Sequence, residues 1–360
     1  MTFQGFEQSP GGLVSVIIVN WNRRALLESC LRSLAREQGV EFEIIVVDNG
    51  STDGSRELVQ TFIGGQRTVR LIQNPDNRGF CEANNQGIAA ARGEFVALLN
   101  NDAEAEPMWL AHLLAAFTQA DVGMAASKIL VWRAAGAEGP PMIDKVGHLI
   151  YPDGQNRGRG SGELDTGQYD TIEETLWPDG CACMYRKAML DEIGGFDEDL
   201  FAYGDDADLG LRARIAGWRS LYMPAAVVWH HRGSSMGKQN PGRITLIERN
   251  RVLLAVKLFP GSLLCLNGAY YLARIFAAAL AAVRNRGEIG HFSSPWLKLR
   301  AAWALCLGDL QALSMVPMTL RKRRRILAER KLSSSQTRRL LLRFRIPLRQ
   351  LTDQSAQLPR

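Results

Sequence analysis

Over roughly its first 120 residues the chain repeatedly alternates short β-branched runs with helical stretches, and few folds accommodate that pattern. Val14–Asn20 is a near-continuous apolar run, as expected of a strand covered on both faces. Leu27, Leu31 and Leu34 then fall at helical spacing. Phe42–Asp48, Thr68–Gln73 and Glu94–Leu99 read as further strands, each followed by a helical segment, including one from about Phe80 to Arg92 and one from Trp109 to Phe117. Short connections between such units imply a mostly parallel, doubly wound α/β sheet. In such sheets ligands bind at the carboxyl ends of the strands. All four strands end there in polar clusters: Asn20-Trp21-Asn22-Arg23, Asp48-Asn49-Gly50-Ser51, Asn74 to Gly79, and Asn100-Asn101-Asp102. One such cluster would be a turn or a helix cap; four on one edge predict a polar pocket.

From Val131 to Asp179 the rhythm breaks into Gly-, Pro- and Asp-rich chain, read as excursion loops over the sheet. Strands are expected again at Ala182–Arg186, Arg219–Met223 and Ala226–Trp229, with helices at Lys187–Ile193 and Ala207–Ala216. Beyond about residue 255 the chain becomes Leu/Ala-rich with spaced Arg and Lys, and a domain boundary is placed there. The net charge of +6 is segregated, since residues 321–360 hold 13 Lys/Arg against 2 Asp/Glu. A basic, apolar-interleaved extension suits an anionic membrane surface. Nucleic acid is not an expected partner, because the tail has few aromatics and no binding motif. The longest charge-free run, Leu258–Ala273, has 16 residues and is ended by Arg274. That falls short of the roughly 20 apolar residues of a spanning helix, so the extension is expected to lie on a membrane rather than cross it. The six cysteines sit in apolar patterns without a repeated metal-ligand spacing, and read as buried free thiols of a reducing compartment. With no signal-peptide pattern at the start, the expected location is cytoplasmic, peripheral on the inner face of the cell membrane.

No GxGxxG follows the first strand, and GxxxxGK[ST], GxSxG and HExxH are absent. Dinucleotide, P-loop, serine-hydrolase-elbow and zincin readings are therefore disfavoured. In their place stand VSVIIVNWNRR, IIVVDNGSTDGS, NRGFCEANNQGIAAARGEFVALLNND, GGFDEDLFAYGDDADLGLRARIAGWR and VVWHHRGSSMG, followed by ERNR. In this order, across about residues 13–252, they resemble a family-2 glycosyltransferase, nearest in kind to the rhamnosyltransferase-like enzymes of cell-surface polysaccharide synthesis.

That resemblance implies a GT-A fold over 1–255, with a nucleotide-sugar half (about 13–125) and an acceptor half (about 126–255), followed by the helical extension 256–360. It implies an inverting transfer from a nucleotide diphosphate sugar, dTDP-rhamnose being the subgroup's suggestion, to a glycan or lipid-linked glycan. By position, Asp48 would contact the base, with Asn20, Asn22 and Ser51 lining the pocket. Asn77, Arg78, Gly79 and Asn85 would shape the diphosphate and sugar side. Asn100-Asn101-Asp102 stands where the family has Asp-x-Asp. The first acid is thus missing, and Asp102 is left as the main carboxylate for Mg²⁺ or Mn²⁺. His230, in His-x-x-Gly-x-Ser (His230, Gly233, Ser235), matches the family histidine near the metal; a structural histidine at a strand end is the alternative. Trp177 and Arg249 would lie on the acceptor and diphosphate side.

Inversion requires a base on the face opposite the leaving diphosphate. Asp205-Asp206 occupies the family's acidic pair, with Asp206 the expected base, although Asp205 stands where a Glu is frequent. Asp208 and Arg212, four apart, should pair on one helix face. A sugar-phosphate nucleotidylyltransferase would need a Gly-rich, Arg-containing loop after the first strand, which Asn20-Trp21-Asn22-Arg23 is not. A catalytically degenerate membrane scaffold would be expected to lack acids at Asp102 or Asp206.

Overall fold

The computed structural model describes residues 11–65, 68–134, 136–232, 240–283 and 294–353. It divides into two compact units. The first comprises residues up to 147, 163–214 and 218–232; the second takes 148–162, 215–217 and 233 onward. The change of sequence character near residue 255 therefore falls inside a helix of the second unit, α7 (Pro241–Leu258), rather than between units.

In the first unit, β1 (Val14–Asn20), β2 (Phe42–Asn49), β3 (Thr68–Asn74) and β4 (Phe95–Leu99) pair in parallel in the order β3-β2-β1-β4. The connecting helices are α1 (Arg24–Ala35), α2 (Ser55–Phe62) and α3 (Gly79–Ala90). Alternate strand residues Val14, Val16 and Ile18 enter a core with Leu27, Leu31 and Leu34 of α1 and with α4 (Trp109–Leu114). On the opposite face α3 lies on β1 at Gly87, where a Cβ would come within 2.5 Å of Ile17. Helices thus cover both faces, and both sets of strand side chains are buried. This is the mostly parallel GT-A arrangement.

Past β4 the sheet becomes mixed. β5 (Ala103–Ala105) pairs with the end of β12 (Arg219–His230). β11 (Ala182–Arg186) runs antiparallel between β4 and β6 (Val122–Val131), and β12 is parallel to β6. The two strands expected at Arg219–Met223 and Ala226–Trp229 are one strand. Pro224 cannot donate to the ladder, and the register shifts between Met223 and Val227 instead of breaking. The 131–179 segment is also more ordered than a set of loops. It carries β7 (Ile143–Lys145) paired with β6, β8 (His148–Ile150) and β9 (Asn156–Gly158) as a hairpin of the second unit, and β10 (Glu173–Glu174) on β12. Strands of two or three residues are too short to leave a period in the sequence. Helices α5 (Lys187–Ile193) and α6 (Asp205–Ile215) complete the unit.

In the second unit, α7 is followed by α8 (Gly261–Val283), α9 (Pro295–Glu329), α10 (Ser334–Arg343) and α11 (Leu348–Asp353). The expectation that nothing here is long enough to span is corrected: Gly261–Ala281 and Trp296–Glu329 are long and apolar enough, by length and composition, to cross a membrane. Arg274 does not interrupt α8, because its guanidinium is buried against Asp153 and Glu248. Cys30, Cys81, Cys181 and Cys183 are buried thiols, but Cys265 and Cys306 are exposed on α8 and α9.

Candidate active site

The topology gathers distant chain segments on one edge of the sheet. β1, β2, β3 and β4 all end there. β11 begins there, because Ala182 pairs with Leu99. β6 and β12, antiparallel and parallel in turn, end there as well, at Val131 and His230. Asp48, Asp102, Asp179 and His230 therefore meet at one edge despite their separation in sequence.

The nucleotide side is a closed polar net. Asn20 Nδ2 donates to Asp48 Oδ1 at 3.3 Å and to Ser51 Oγ at 3.1 Å, while Ser51 N–H donates to Asp48 Oδ2. Asn101 Nδ2 donates to Asn20 Oδ1 at 2.7 Å. Asn22, in a left-handed conformation, accepts from Thr52 N–H and donates its own N–H to Ser51 Oγ. Asp48 is 1% exposed and carries an ion pair at 2.7 Å with Arg56, a residue the sequence did not single out. The turn geometry requires Gly50, where a Cβ would lie 2.9 Å from Asp76 Cα at φ 78°.

Asn77 accepts from Gly79 N–H. Gly79, at φ 81°, lies against Phe201, whose carbonyl accepts from Phe80 N–H. Arg78 is half-exposed and pairs with Asp76 at 2.6 Å. Asn85 is engaged away from this edge. Its Oδ1 accepts from Phe196 N–H and its Nδ2 donates to Phe196 O and Glu198, so it ties α3 to the acceptor half.

Asp102, 6% exposed, is the focus of the charged cluster. Asn100 N–H donates to Cys181 O, which fixes the strand end. Asp102 Oδ1 lies 3.2 Å from His230 Nε2, and its Oδ2 lies 3.9 Å from Arg23. His230 Nδ1 is 2.7 Å from Asp144, which is fully buried and also paired with Arg232 at 3.1 Å. His231 turns away, to Glu104 at 2.8 Å and onto the Trp132 ring. Burial would raise the Asp102 pKa, but the His230 hydrogen bond, the His230 charge and Arg23 outweigh it and hold it low. Burial likewise opposes charge on His230, but the Asp102 and Asp144 carboxylates on either side of the ring outweigh it and raise its pKa; Cys181, whose own pKa burial raises, is a neutral thiol and adds no charge.

These donors fit a divalent cation. His230 Nε2–H faces Asp102 Oδ1; a cation there would displace that proton, and Asp144 behind Nδ1 would hold the tautomer whose Nε2 lone pair faces the metal. The rest of the family motif, Gly233 and Ser235, lies outside the described residues.

On the acceptor side Asp205 and Asp206 open α6. Burial first, and the negative charges of Asp206 and Asp179 next, push the Asp205 carboxyl up to about 8. Asp206 is the more accessible of the two. A carboxylate oxygen of Asp206 lies within 4.8 Å of one of Asp179, and Asp179 is held by Lys145 at 2.5 Å. The Asp208–Arg212 pair forms at 2.8 Å, and Arg212 also donates to the carbonyls of Ile193, Gly194 and Gly195. Trp177 is fully buried against Gly210 of α6. It is thus a support for the helix that carries the acids, not a surface offered to an acceptor. Arg249 belongs to α7 in the second unit, where its Nε donates to Asn250.

The profile of glycosyl transferase family 2 matches residues 15–194, half of the chain. The chain belongs to this family. It is 29% identical, over 63% of its length and 78% of the relative's, to an N-acetylglucosaminyl-diphospho-decaprenol L-rhamnosyltransferase of Mycobacterium tuberculosis. It is 30% identical, over 60% of its length, to a pre-mycofactocin glycosyltransferase of the same species, of which it spans 42%. It spans a quarter of a 30% identical protein of Sinorhizobium fredii. In fold it resembles a mannosyltransferase of Pyrobaculum calidifontis solved with GDP-Man and Mn²⁺ (16% identity, TM-score 0.50, 92% of this chain and 86% of the other). It also resembles S. aureus TarS 1-349 (17% identity, TM-score 0.52, 91% of each chain). It is a rhamnosyltransferase-like, GT-A member of family 2.

Several polar partners in this site carried no local sequence signal: Arg56, Asp144, Lys145 and Asp179. Asp179 alone sits in a recognisable setting, a Pro-Asp-Gly turn, which by itself reads as a turn.

Proposed function

We propose that this family-2 member transfers a sugar from a nucleoside diphosphate donor to a glycan or lipid-linked glycan, with inversion and with help from Mg²⁺ or Mn²⁺. The observation that carries this reading is the Asp144–His230–Asp102 array standing on the same sheet edge as Asp206. Asp48, with Asn20, Asn22 and Ser51, would receive the base, Arg56 holding the Asp48 carboxylate in place. Asn77, Arg78 and the Gly79 backbone would line the diphosphate side, with Asn100 and Asn101 positioning the strand end; Asn85 contributes by fixing α3. Asp102 and His230 would hold the cation, which when bound supplies positive charge to the diphosphate oxygens. Asp206 takes the proton of the acceptor hydroxyl. The freed oxygen attacks the anomeric carbon, and the bond to the diphosphate breaks on the opposite face, releasing nucleoside diphosphate. Asp205, protonated at neutral pH, leaves Asp206 as the free base. Trp177 seats α6 from behind.

The rhamnosyltransferase relative supports a deoxyhexose donor, with dTDP-rhamnose the first to try, and an acceptor of the cell envelope. The basic extension supports a peripheral position on the cytoplasmic face of the membrane, held by anionic lipid. The test is a panel of nucleotide sugars with Mg²⁺ or Mn²⁺, read by thermal shift and slow donor hydrolysis. One donor should stabilise the protein only with metal, by about 3 kcal/mol at a hundredfold excess over Kd. Asp102→Ala should lose this. Asp206→Asn should keep it while turnover falls about 10²–10⁴-fold. If no nucleotide sugar or nucleoside diphosphate binds, the proposal fails.

A further inference from the structure

Helix α9 is inverted relative to a helix packed in a water-soluble protein. The strip turned into the second unit is made of small residues, Ala301, Ala304, Gly308 and Ala312. Gly308 allows a close approach to α7, since a Cβ there would lie 2.7 Å from Thr245 O and 2.9 Å from Glu248 Cβ. The opposite strip carries Trp296, Leu299, Trp303, Leu307, Leu310 and Leu313, at three- and four-residue spacing. Trp296 and Trp303 are 66% and 63% exposed. α8 adds Leu272 and Phe276, 67% and 73% exposed. Large apolar side chains exposed along one face of a helix mark an interaction site.

Three occupants could cover it: a bilayer that the helices cross, a second copy of the chain, or a bilayer in whose surface they lie. The inner strip argues against crossing. Behind it, Glu248 and Arg251 of α7 pair with each other, with Arg274 of α8 and with Asp309 of α9, and Tyr271 donates to Asp309. One face is apolar and the other is packed on charge, which suits a helix in the plane of the interface. Charge argues against a second copy. Continuing the apolar strip past Leu313, the same face of α9 carries Arg321, Arg324 and Arg325, all exposed, and no Asp or Glu occurs between residues 310 and 328. Such a face repels its own copy and matches anionic headgroups.

We infer that α9, with the exposed face of α8, is a membrane-insertion surface. Its apolar strip sinks to acyl depth in an anionic bilayer, and Arg321, Arg324 and Arg325 engage headgroup phosphates. This rests on the membrane-surface reading given above and deepens it, from electrostatic attachment of a basic tail to insertion of a named apolar face.

The two are separated by salt. Full-length protein is sedimented with phosphatidylcholine vesicles, with and without about 30% phosphatidylglycerol, in low salt and at about 0.5 M NaCl, where charge attraction is screened. Insertion predicts that binding to the anionic vesicles persists at high salt. Brominated acyl chains should then quench tryptophan fluorescence, and Trp296→Phe with Trp303→Phe should remove the quenching. Leu299→Ser with Leu310→Ser should weaken the salt-resistant binding about tenfold or more. Its melting should be unchanged, because both side chains are already in water. Binding released by salt and without quenching overturns insertion and leaves electrostatic attachment standing. No vesicle binding at all overturns both. A concentration-dependent dimer lost in Leu299→Ser/Leu310→Ser, without quenching, assigns the strip to a second copy instead.

Discussion

Replacing Asp205 by Asn should change how stability depends on pH. Asp205 is 7% exposed, and burial together with the charges of Asp206 and Asp179 raises its carboxyl to about 8. In the unfolded chain the same group titrates near 3.9. Between those values the folded protein holds a proton that the unfolded chain has released. Stability therefore falls as pH rises through this window, at up to about 1.4 kcal/mol per pH unit. From pH 5 to pH 8 the full effect would be about 4 kcal/mol. The expected loss is about 2–4 kcal/mol. Asn keeps the shape of the neutral acid and has no proton to lose. The stability of Asp205→Asn relative to wild type should therefore rise by about 2–4 kcal/mol between pH 5 and pH 9. Urea unfolding followed by far-ultraviolet circular dichroism at pH 5, 7 and 9 measures this directly. Asp206→Asn is the companion: removing its charge should lower the Asp205 pKa, so that the decline ends at lower pH and is smaller than in wild type. Parallel pH profiles for wild type and Asp205→Asn would refute the account, and with it the assignment of Asp205 as the neutral member of the pair.

Two further outcomes are expected. Asp144→Asn removes the carboxylate that fixes His230 Nδ1–H, and should weaken Mn²⁺ binding in the presence of nucleoside diphosphate about 10–100-fold by calorimetry; an unchanged affinity would separate His230 from the cation. Gly79→Ala places a Cβ 2.5 Å from the Phe201 ring and 2.8 Å from its carbonyl at φ 81°, and should cost about 1–3 kcal/mol. Calorimetry should then show a melting temperature lower by several degrees, and an unaltered melting curve would mean the contact relaxes freely.

The parts of this site legible in sequence are those whose chemistry and position share one segment. Asp48, Asp102 and Asp206 each lie where a periodic element meets a turn, so strand ends and a helix start could be read around them. Asp144 could not be read that way. It lies in a three-residue strand inside Gly- and Pro-rich chain, and it meets His230 only because β6 brings β7 and β12 to the same edge. Arg56 looks like an exposed helical arginine until β2 and α2 place it on a buried carboxylate. Trp177 and Asn85 mark the opposite failure. The resemblance placed Trp177 on the acceptor side and Asn85 on the sugar side, whereas the fold uses one as a buried wedge behind Gly210 and the other as a tie to Phe196. Local pattern fixes which elements form and where they end, but the pairing of a buried charge depends on sheet order, and sheet order is long-range. The second unit repeats the lesson. Arg274 ends an apolar run in the sequence, yet in the fold its charge is answered by Asp153, 121 residues earlier, so α8 continues past it. A hydropathy reading treats that arginine as a stop signal, because the partner that neutralises it is supplied only by tertiary structure.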